Sequence, residues 1–182
     1  MKEKIKKFFR YVLYLGILIF IDFIIKFYTH VKIPKLSWSF SQYPYGGIKV
    51  FRDFFGISFS INHVENLGAA WGILSSYTNY LFYFRIAIVS FLIFYALFLN
   101  KDKRKAFSYI LIISGAIGNI FDYLMYGHVI DMFHFNFWGY SYPIFNFADI
   151  LISIGIFWLF VVSIFFKQKT VALEPNNFNN PS

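Results

Sequence analysis

Four long apolar segments constrain the fold of this chain more than any other feature of its sequence. They cover about residues 8–28, 80–99, 107–126 and 144–166. A helix of about 20 mainly apolar residues is needed to cross the roughly 30 Å hydrocarbon core of a bilayer. With 58% hydrophobic and 14% charged residues, the 182-residue chain also differs from ordinary soluble domains. The sequence therefore predicts an α-helical integral membrane protein with four transmembrane helices.

The first apolar segment has an alternative interpretation as a cleaved signal peptide, because a basic stretch precedes it. No cleavage site of small residues follows it, and Asp22 and Lys26 interrupt its apolar run. We interpret it as a retained transmembrane helix. The sequence then predicts a single membrane domain over residues 1–166, and the aperiodic segment 167–182 is expected to be a disordered cytoplasmic tail.

The distribution of basic residues predicts how the four spans are oriented. Of the 17 Lys and Arg residues, five precede or begin the first span, four lie between the second and third, and two follow the fourth. The connection 127–143 has none, and the longer connection 29–76 has four. The positive-inside rule therefore places both termini in the cytoplasm. The net charge of +8 is a topology signal and not the basic face of a nucleic-acid-binding protein.

The two outward connections differ in length and pattern. The first, over residues 29–76, contains a segment from Gly56 to Asn62 in which apolar and polar residues alternate, and this pattern is typical of a strand. We expect a small extracytoplasmic β-containing subdomain between helices 1 and 2. No internal repeat is visible in the sequence, which argues against an inverted-repeat transporter.

Carboxylates inside the predicted spans are the strongest functional signal. Asp22, Asp122 and Asp149 lie within spans, and Asp131 lies just beyond the third span. A carboxylate in the middle of a membrane helix costs about 2.5–3.5 kcal/mol on insertion scales, so each needs a partner or a task. With the predicted orientation, all four acids lie towards the outer face of the membrane.

Each of these polar residues also has a purely structural interpretation. Asp22 and Lys26 are four residues apart with the acid first, so they can form an ion pair that helps the first span insert, or they can share in a site. Asn119 and Asp122 share a helix face with small residues, which favours either polar packing between helices or a site. Arg85 is expected to extend towards the membrane surface or to pair with an acid.

Two carboxylates held close together in a poorly hydrated place tend to share one proton, an arrangement suited to peptide hydrolysis. Asp131 and Asp149 are the best candidates, because only a short segment separates them. The chain has no cysteine, which excludes thiol nucleophiles and zinc–thiolate sites. Its four histidines follow no metalloprotease spacing, and no serine lies in a nucleophile-elbow motif. We therefore predict no metal and no cofactor.

Five short motifs resemble, in their order along the chain, those of the lipoprotein signal peptidase family, the type II signal peptidases. They are Asp22-x-x-x-Lys26, Asn66–Gly72, Gly118–Asp122, Gly127–Phe133 and Phe145–Asp149. The resemblance implies a bacterial inner-membrane aspartic endopeptidase. Members of this family remove signal peptides from prolipoproteins by cleaving before a diacylglyceryl-modified cysteine.

The resemblance also implies roles for individual residues. The catalytic pair of the family falls on Asp131 and Asp149, in agreement with their placement. The residues expected to shape the site and bind substrate are Asp22, Lys26, Asn66, Gly68, Asn119, Asp122, Asn146 and Ala148. The expected partners are diacylglyceryl-modified prolipoproteins and membrane lipid, and we expect a monomer. The absence of cysteine fits, because the substrate supplies its own.

One position departs clearly from the family pattern. Tyr123 stands where the family usually has Arg directly after the Asp of the third-span motif. A divergent paralogue with an altered substrate range is one alternative. A small membrane carrier or partner subunit that uses its buried carboxylates as a proton relay is another, and carboxylates that serve only helix assembly are a third.

Overall fold

Four helices form the body of the molecule. The computed structural model describes residues 2–37, 39, 42–67 and 77–166. The helices are α1 (Lys2–Lys32), α2 (Thr78–Phe94), α3 (Ala106–Tyr126) and α4 (Phe147–Phe165). A π-helical turn (Tyr95–Leu99) extends α2, and a 3-10 turn (Lys103–Lys105) precedes α3. All four helices are long and apolar enough to cross a membrane, as predicted.

Two helix boundaries differ from the predicted ones for local reasons. Helix α1 continues to Lys32, beyond the predicted end of the span, because hydropathy marks only its apolar part and the helix includes the polar residues that follow. Helix α4 begins only at Phe147, because the side chain of Asn146 caps it and the preceding residues are extended. Asp149 therefore lies in the first turn of α4 and not a turn and a half inside it. The predicted tail 167–182 lies outside the described residues.

Helix α3 occupies the centre of the bundle and packs against the other three helices. Small residues permit this close packing, as predicted for its glycine-bearing face. A Cβ atom on Gly115 would overlap the carbonyl oxygen of Ala148 in α4, and one on Gly118 would overlap the Asp22 carboxylate in α1. The outward faces of the other helices carry exposed aromatic side chains, as expected for helix surfaces that contact lipid.

An antiparallel sheet lies at one end of the bundle, with strand order β1-β2-β3-β4. Its strands are β1 (Ile48–Phe54), β2 (Ile57–Asn66), β3 (Val129–Phe137) and β4 (Tyr140–Ser141). The predicted β-containing subdomain is therefore confirmed, but the sheet is not confined to the connection between helices 1 and 2. The connection between α3 and α4 supplies β3 and β4. Pairing of β2 with β3 sets Val64 opposite Asp131 and Asn66 opposite Val129.

Candidate functional site

A cavity of about 480 Å³ lies between the sheet and the helices. Asp131, on β3, and Asp149, in the first turn of α4, both line it. Its other polar lining includes Asn66, Arg85, Asn119 and Asn146, from four different segments of the chain. The apolar part of the wall comes mainly from the start of α4 and the segment before it. The cavity therefore combines two carboxyl groups with an apolar wall and suits a ligand that is largely apolar.

Asn146 connects the two aspartates. Its side-chain amide donates to Asp131 Oδ1 at 2.6 Å, and its side-chain oxygen accepts from the backbone N–H of Asp149 at 3.0 Å. The carboxylate of Asp149 accepts in turn from the backbone N–H of Asn146 at 3.1 Å. This reciprocal pair is a capping box, so the same residue that starts α4 also fixes the Asp131 carboxyl group.

Two further asparagines bind the remaining carboxyl oxygens. Asn66 donates to Asp131 Oδ2 at 2.9 Å, and Asn119 donates to Asp149 Oδ1 at 3.0 Å. Each oxygen keeps a second lone pair after accepting one such hydrogen bond, so either carboxyl group can still carry a proton. The four amide contacts orient the pair without neutralising its charge.

The protonation of Asp131 is set by its surroundings. Burial raises the pKa of Asp131, and the nearby negative charge of Asp149 raises it further, to about 7. The hydrogen bonds from Asn66 and Asn146 act in the opposite direction but do not cancel these effects. The raised pKa favours the protonated form of Asp131 next to a charged Asp149, the arrangement in which two carboxyl groups can share one proton.

A buried lysine lies behind this pair. Lys26 Nζ is 2.8 Å from Asp22 Oδ2 and 2.8 Å from Asp122 Oδ2, and all three side chains are almost fully buried. The predicted ion pair of Asp22 and Lys26 is present, and Asp122 joins it. Lys26 also donates to Asn119 Oδ1 at 2.9 Å, which orients the amide that binds Asp149. Asp122 accepts from the backbone N–H of Ile130 at 3.2 Å and so holds the start of β3.

The structure therefore brings most of the predicted site residues into one hydrogen-bonded network. Its members are Asp22, Lys26, Asn66, Asn119, Asp122, Asp131, Asn146 and Asp149. Ala148 is fully buried against the glycines of α3, and it is not among the described residues that line the cavity. Gly68 lies outside the described residues.

Arg85 reaches the cavity wall from α2, whereas its sequence context favoured a side chain that extends to the membrane surface or pairs with an acid over a role in the site. The sequence signal for this position is that Arg85 is the one charged residue of α2.

Tyr123, which stands where the family usually has Arg, contacts α2 and, among the residues that the structure describes, does not line the cavity. Its hydroxyl donates to Asn79 Oδ1 at 3.0 Å, and its ring stacks on Phe82 with centroids 4.7 Å apart. The guanidinium group at this cavity therefore comes from α2, and the tyrosine fastens α3 to α2.

Comparisons with known proteins agree along most of the chain. The sequence profile of the family described as signal peptidase (SPase) II matches residues 14–166. A lipoprotein signal peptidase of Chlamydia caviae is 46% identical over 61% of this chain and 68% of its own length. Another, of Wigglesworthia glossinidia brevipalpis, is 35% identical over 80% and 88%. A bacterial membrane enzyme solved by the in meso method at 2.3 Å superposes with a TM-score of 0.69 at 26% identity, covering 89% of this chain and 94% of that one.

Proposed function

The chain belongs to the signal peptidase II family, and from that premise we propose that it is an intramembrane aspartic endopeptidase that cleaves prolipoproteins directly before a diacylglyceryl-modified cysteine. Membership confirms the resemblance predicted from the five motifs and makes the chain a protease of lipoprotein processing. The observation that carries the aspartic mechanism is the pair Asp131 and Asp149, joined through Asn146 at the wall of one cavity.

We assign the two aspartates different roles. Asp149 lies at the N-terminus of α4 and accepts two N–H hydrogen bonds, and both features favour a negative charge. Asp131 has a pKa raised to about 7, because burial and the charge of Asp149 oppose its ionisation. Asp131 is therefore the general acid of the resting pair, and Asp149 is the general base.

The reaction then needs only the two carboxyl groups and a water molecule. Asp149 takes a proton from the water, whose oxygen attacks the carbonyl carbon, while Asp131 gives its proton to the carbonyl oxygen. A tetrahedral diol forms. Its collapse breaks the carbon–nitrogen bond when Asp149 passes its proton to the leaving amine and Asp131 recovers one from the diol. The products are the signal peptide carboxylate and the free amino group of the lipid-modified cysteine.

The rest of the cavity fits the expected substrate. Ile150 and Ile154 on α4 offer an apolar wall to the end of a signal peptide, and Arg85 offers hydrogen-bond donors to its backbone carbonyls. The diacylglyceryl chains would remain in lipid against the exposed apolar helix faces. We further propose a monomer in the bacterial inner membrane. The distribution of Lys and Arg supports cytoplasmic termini and a site near the outer leaflet.

A purified chain and a diacylglyceryl-modified prolipoprotein test this proposal directly. The wild-type protein is expected to release a shortened lipoprotein, and Asp131→Asn and Asp149→Asn are each expected to abolish cleavage while the protein still inserts and accumulates. Asp53→Asn is the matched control, because Asp53 is exposed in β1 and its φ of 56° suits asparagine well.

Three results would contradict the proposal in different ways. Cleavage at the wild-type rate by either active-site variant would refute the catalytic pair. Loss of the folded protein in both variants, with Asp53→Asn unaffected, would favour carboxylates that serve only helix assembly. A folded wild-type protein without product would favour a divergent substrate range or the proton-relay alternative. Against a relay, the sequence places no acid in α1 between Glu3 and Asp22 or in α4 after Asp149.

A further inference from the structure

A second polar cluster lies beside the active-site cavity, on the other side of β2. Three of the four histidines of the chain meet there, although they come from separate elements. His30 lies near the end of α1, His63 on β2, and His128 directly after the glycine that ends α3. Glu65 on β2 completes the cluster, one residue before Asn66. Peptide hydrolysis by the two aspartates makes no use of these four side chains.

The spacing of the donor atoms resembles that of a metal site. One potential ligand atom each from His30, Glu65 and His128 lie within 4.8 Å of one another. Nε2 of His128 is 3.3 Å from Oε1 of Glu65. Two ligands of a tetrahedral zinc ion, bound at about 2.0–2.1 Å, are separated by about 3.4 Å. These two atoms are therefore already at ligand spacing, and the ligand nitrogen of His30 lies within 4.8 Å of both.

Two buried ring nitrogens of the cluster, Nδ1 of His30 and Nε2 of His63, have no hydrogen-bond partner within the described part of the chain. Nε2 of His128 has only its contact with the Glu65 carboxylate. His63 is only 3% exposed, and its Nδ1 lies 3.0 Å from the carbonyl oxygen of Ile33. Because a carbonyl oxygen only accepts, Nδ1 carries the ring proton and Nε2 keeps an unused lone pair. Histidines that bind metals are usually held in this way by a carbonyl at the other ring nitrogen.

We propose that His30, Glu65 and His128 bind a divalent transition-metal ion of the zinc type, with the His63 ring beside them at a centroid distance of 5.3 Å from His30. Two imidazoles and one carboxylate suit zinc and its neighbours and do not suit magnesium or calcium, which prefer all-oxygen sites. His30 and His63 line an adjoining depression of about 370 Å³, which gives an ion and its water a path to the cluster. This site lies outside the catalytic cavity and goes beyond the proposed peptidase function.

Lys35 acts as a competitor for the proposed ion. Its ammonium group lies 2.7 Å from Oε1 of Glu65, the same oxygen that faces His128. The Lys35 side chain is 65% exposed, so it can swing into solvent when an ion takes its place. Removal of the lysine should therefore strengthen metal binding, a result that a purely structural cluster of histidines would not give.

A bound ion would join three elements next to the catalytic pair. It would tie the end of α1 to β2 and to the link between α3 and β3. Tyr126 packs against both outer ligands, with ring centroids 4.6 Å from His30 and 6.1 Å from His128, and so limits their movement. The ion would thus hold the strand that carries Asn66 in register with the strand that carries Asp131.

Cobalt and zinc binding to the full-length protein in detergent test the proposal, after removal of any polyhistidine tag. We expect one Co²⁺ per chain with the visible absorption of a four-coordinate site, displaced by Zn²⁺ but not by Mg²⁺, and a Zn²⁺-dependent rise in melting temperature. Loss of even an outer-shell partner weakens metal binding about 10–100-fold, so His128→Gln and Glu65→Gln should weaken it about 100-fold or more. His134→Gln is the control, because His134 binds Ser141 away from the cluster.

The outcomes are distinguishable from those for the peptidase, because none of them depends on cleavage. Wild-type protein without Co²⁺ absorption and without a Zn²⁺-dependent melting shift would overturn the proposal. So would binding that survives unchanged in both ligand variants. If those variants do not fold, Lys35→Ala decides the question: it should tighten Co²⁺ binding, whereas Lys49→Ala, which removes an exposed charge from β1, should not. Equal affinities in these two variants would also refute the site.

Discussion

Within the part of the chain that the structure describes, asparagine side chains, and not cations, hold the two cavity aspartates in place. An amide donor fixes the direction of a carboxyl group, but it does not supply a full positive charge that would keep the group ionised. Lys26, the one buried Lys or Arg of the described residues, contacts Asn119, which in turn donates to Asp149. The pair can therefore share a proton at neutral pH although a lysine lies close behind it.

The pH dependence of cleavage should depend on Asn66. The Asp131 pKa of about 7 predicts that activity falls above about pH 7, as the shared proton is lost. The Asn66 hydrogen bond lowers that pKa, so Asn66→Leu should raise it and move the alkaline limb of kcat/KM to higher pH. Gln42→Leu, an exposed change before β1, should leave the limb in place. An unchanged or lower limb in Asn66→Leu would contradict the assignment of Asp131 as the acid.

Lys26 should be needed for stability more than any surface lysine. Lys26→Met leaves the carboxylates of Asp22 and Asp122 buried without a counter-ion, and breaking a buried ion pair in this way costs about 3–5 kcal/mol. Thermal unfolding in detergent should show a much lower melting temperature. Lys6→Met is the control, because the pair of Lys6 with Glu3 is exposed and contributes little. Equal melting temperatures for the two variants would show that the buried cluster is not stabilising.

At the scale of elements, the contact between α3 and α4 sets the position of Asp149. Gly115 lies against the backbone of Ala148, one residue before Asp149, so the helices touch without an intervening side chain. The glycine face of α3 was predicted from the spacing of its small residues. The start of α4 was not, because the apolar run begins before the capping residue and hydropathy alone does not reveal a cap.

The Gly115 contact gives a test with a matched control in the same protein. Gly115→Ala places a Cβ atom onto the Ala148 carbonyl oxygen and should destabilise the bundle by about 1–3 kcal/mol, with reduced cleavage because the first turn of α4 moves. Gly16→Ala has open space around its Cβ and should stabilise α1 by about 0.5–1 kcal/mol. Melting temperatures of both variants check this. Similar stabilisation by both alanines would mean that α4 does not depend on this close contact.

The sheet shows where the sequence was less informative. The alternation in β2 predicts a strand, and β3 has a similar alternation after Asp131, but the apolar residues before it obscure where the strand begins. Contacts between residues far apart in the sequence could not be predicted from it, for a different reason. Lys26 meets Asp122, and His30 meets His128, only because α1 crosses α3, and no local pattern specifies that crossing. Local spacing had made Asp131 and Asp149 the best candidates for a pair, and the motif resemblance assigned the catalytic pair of the family to the same two residues.

For the molecule as a whole, orientation in the membrane is the main remaining prediction, and the absence of cysteine makes it simple to test. Val50 is exposed in β1 at the sheet end, and Lys103 is exposed between α2 and α3. In intact spheroplasts, a membrane-impermeant maleimide should label Val50→Cys and should label Lys103→Cys only after permeabilisation. The unmodified chain provides a background without label. The opposite pattern would place the catalytic pair on the cytoplasmic side.

The position of Asp149 also has a consequence for biosynthesis. Asp131 precedes the fourth helix, whereas its partner and the connecting residue Asn146 arrive at the start of that helix. A nascent chain with three inserted helices therefore has Asp131 but lacks Asp149 and Asn146, and the proposed pair forms only when α4 docks onto α3. On the proposed mechanism, partly synthesised copies are inert towards neighbouring membrane proteins until the fold is complete.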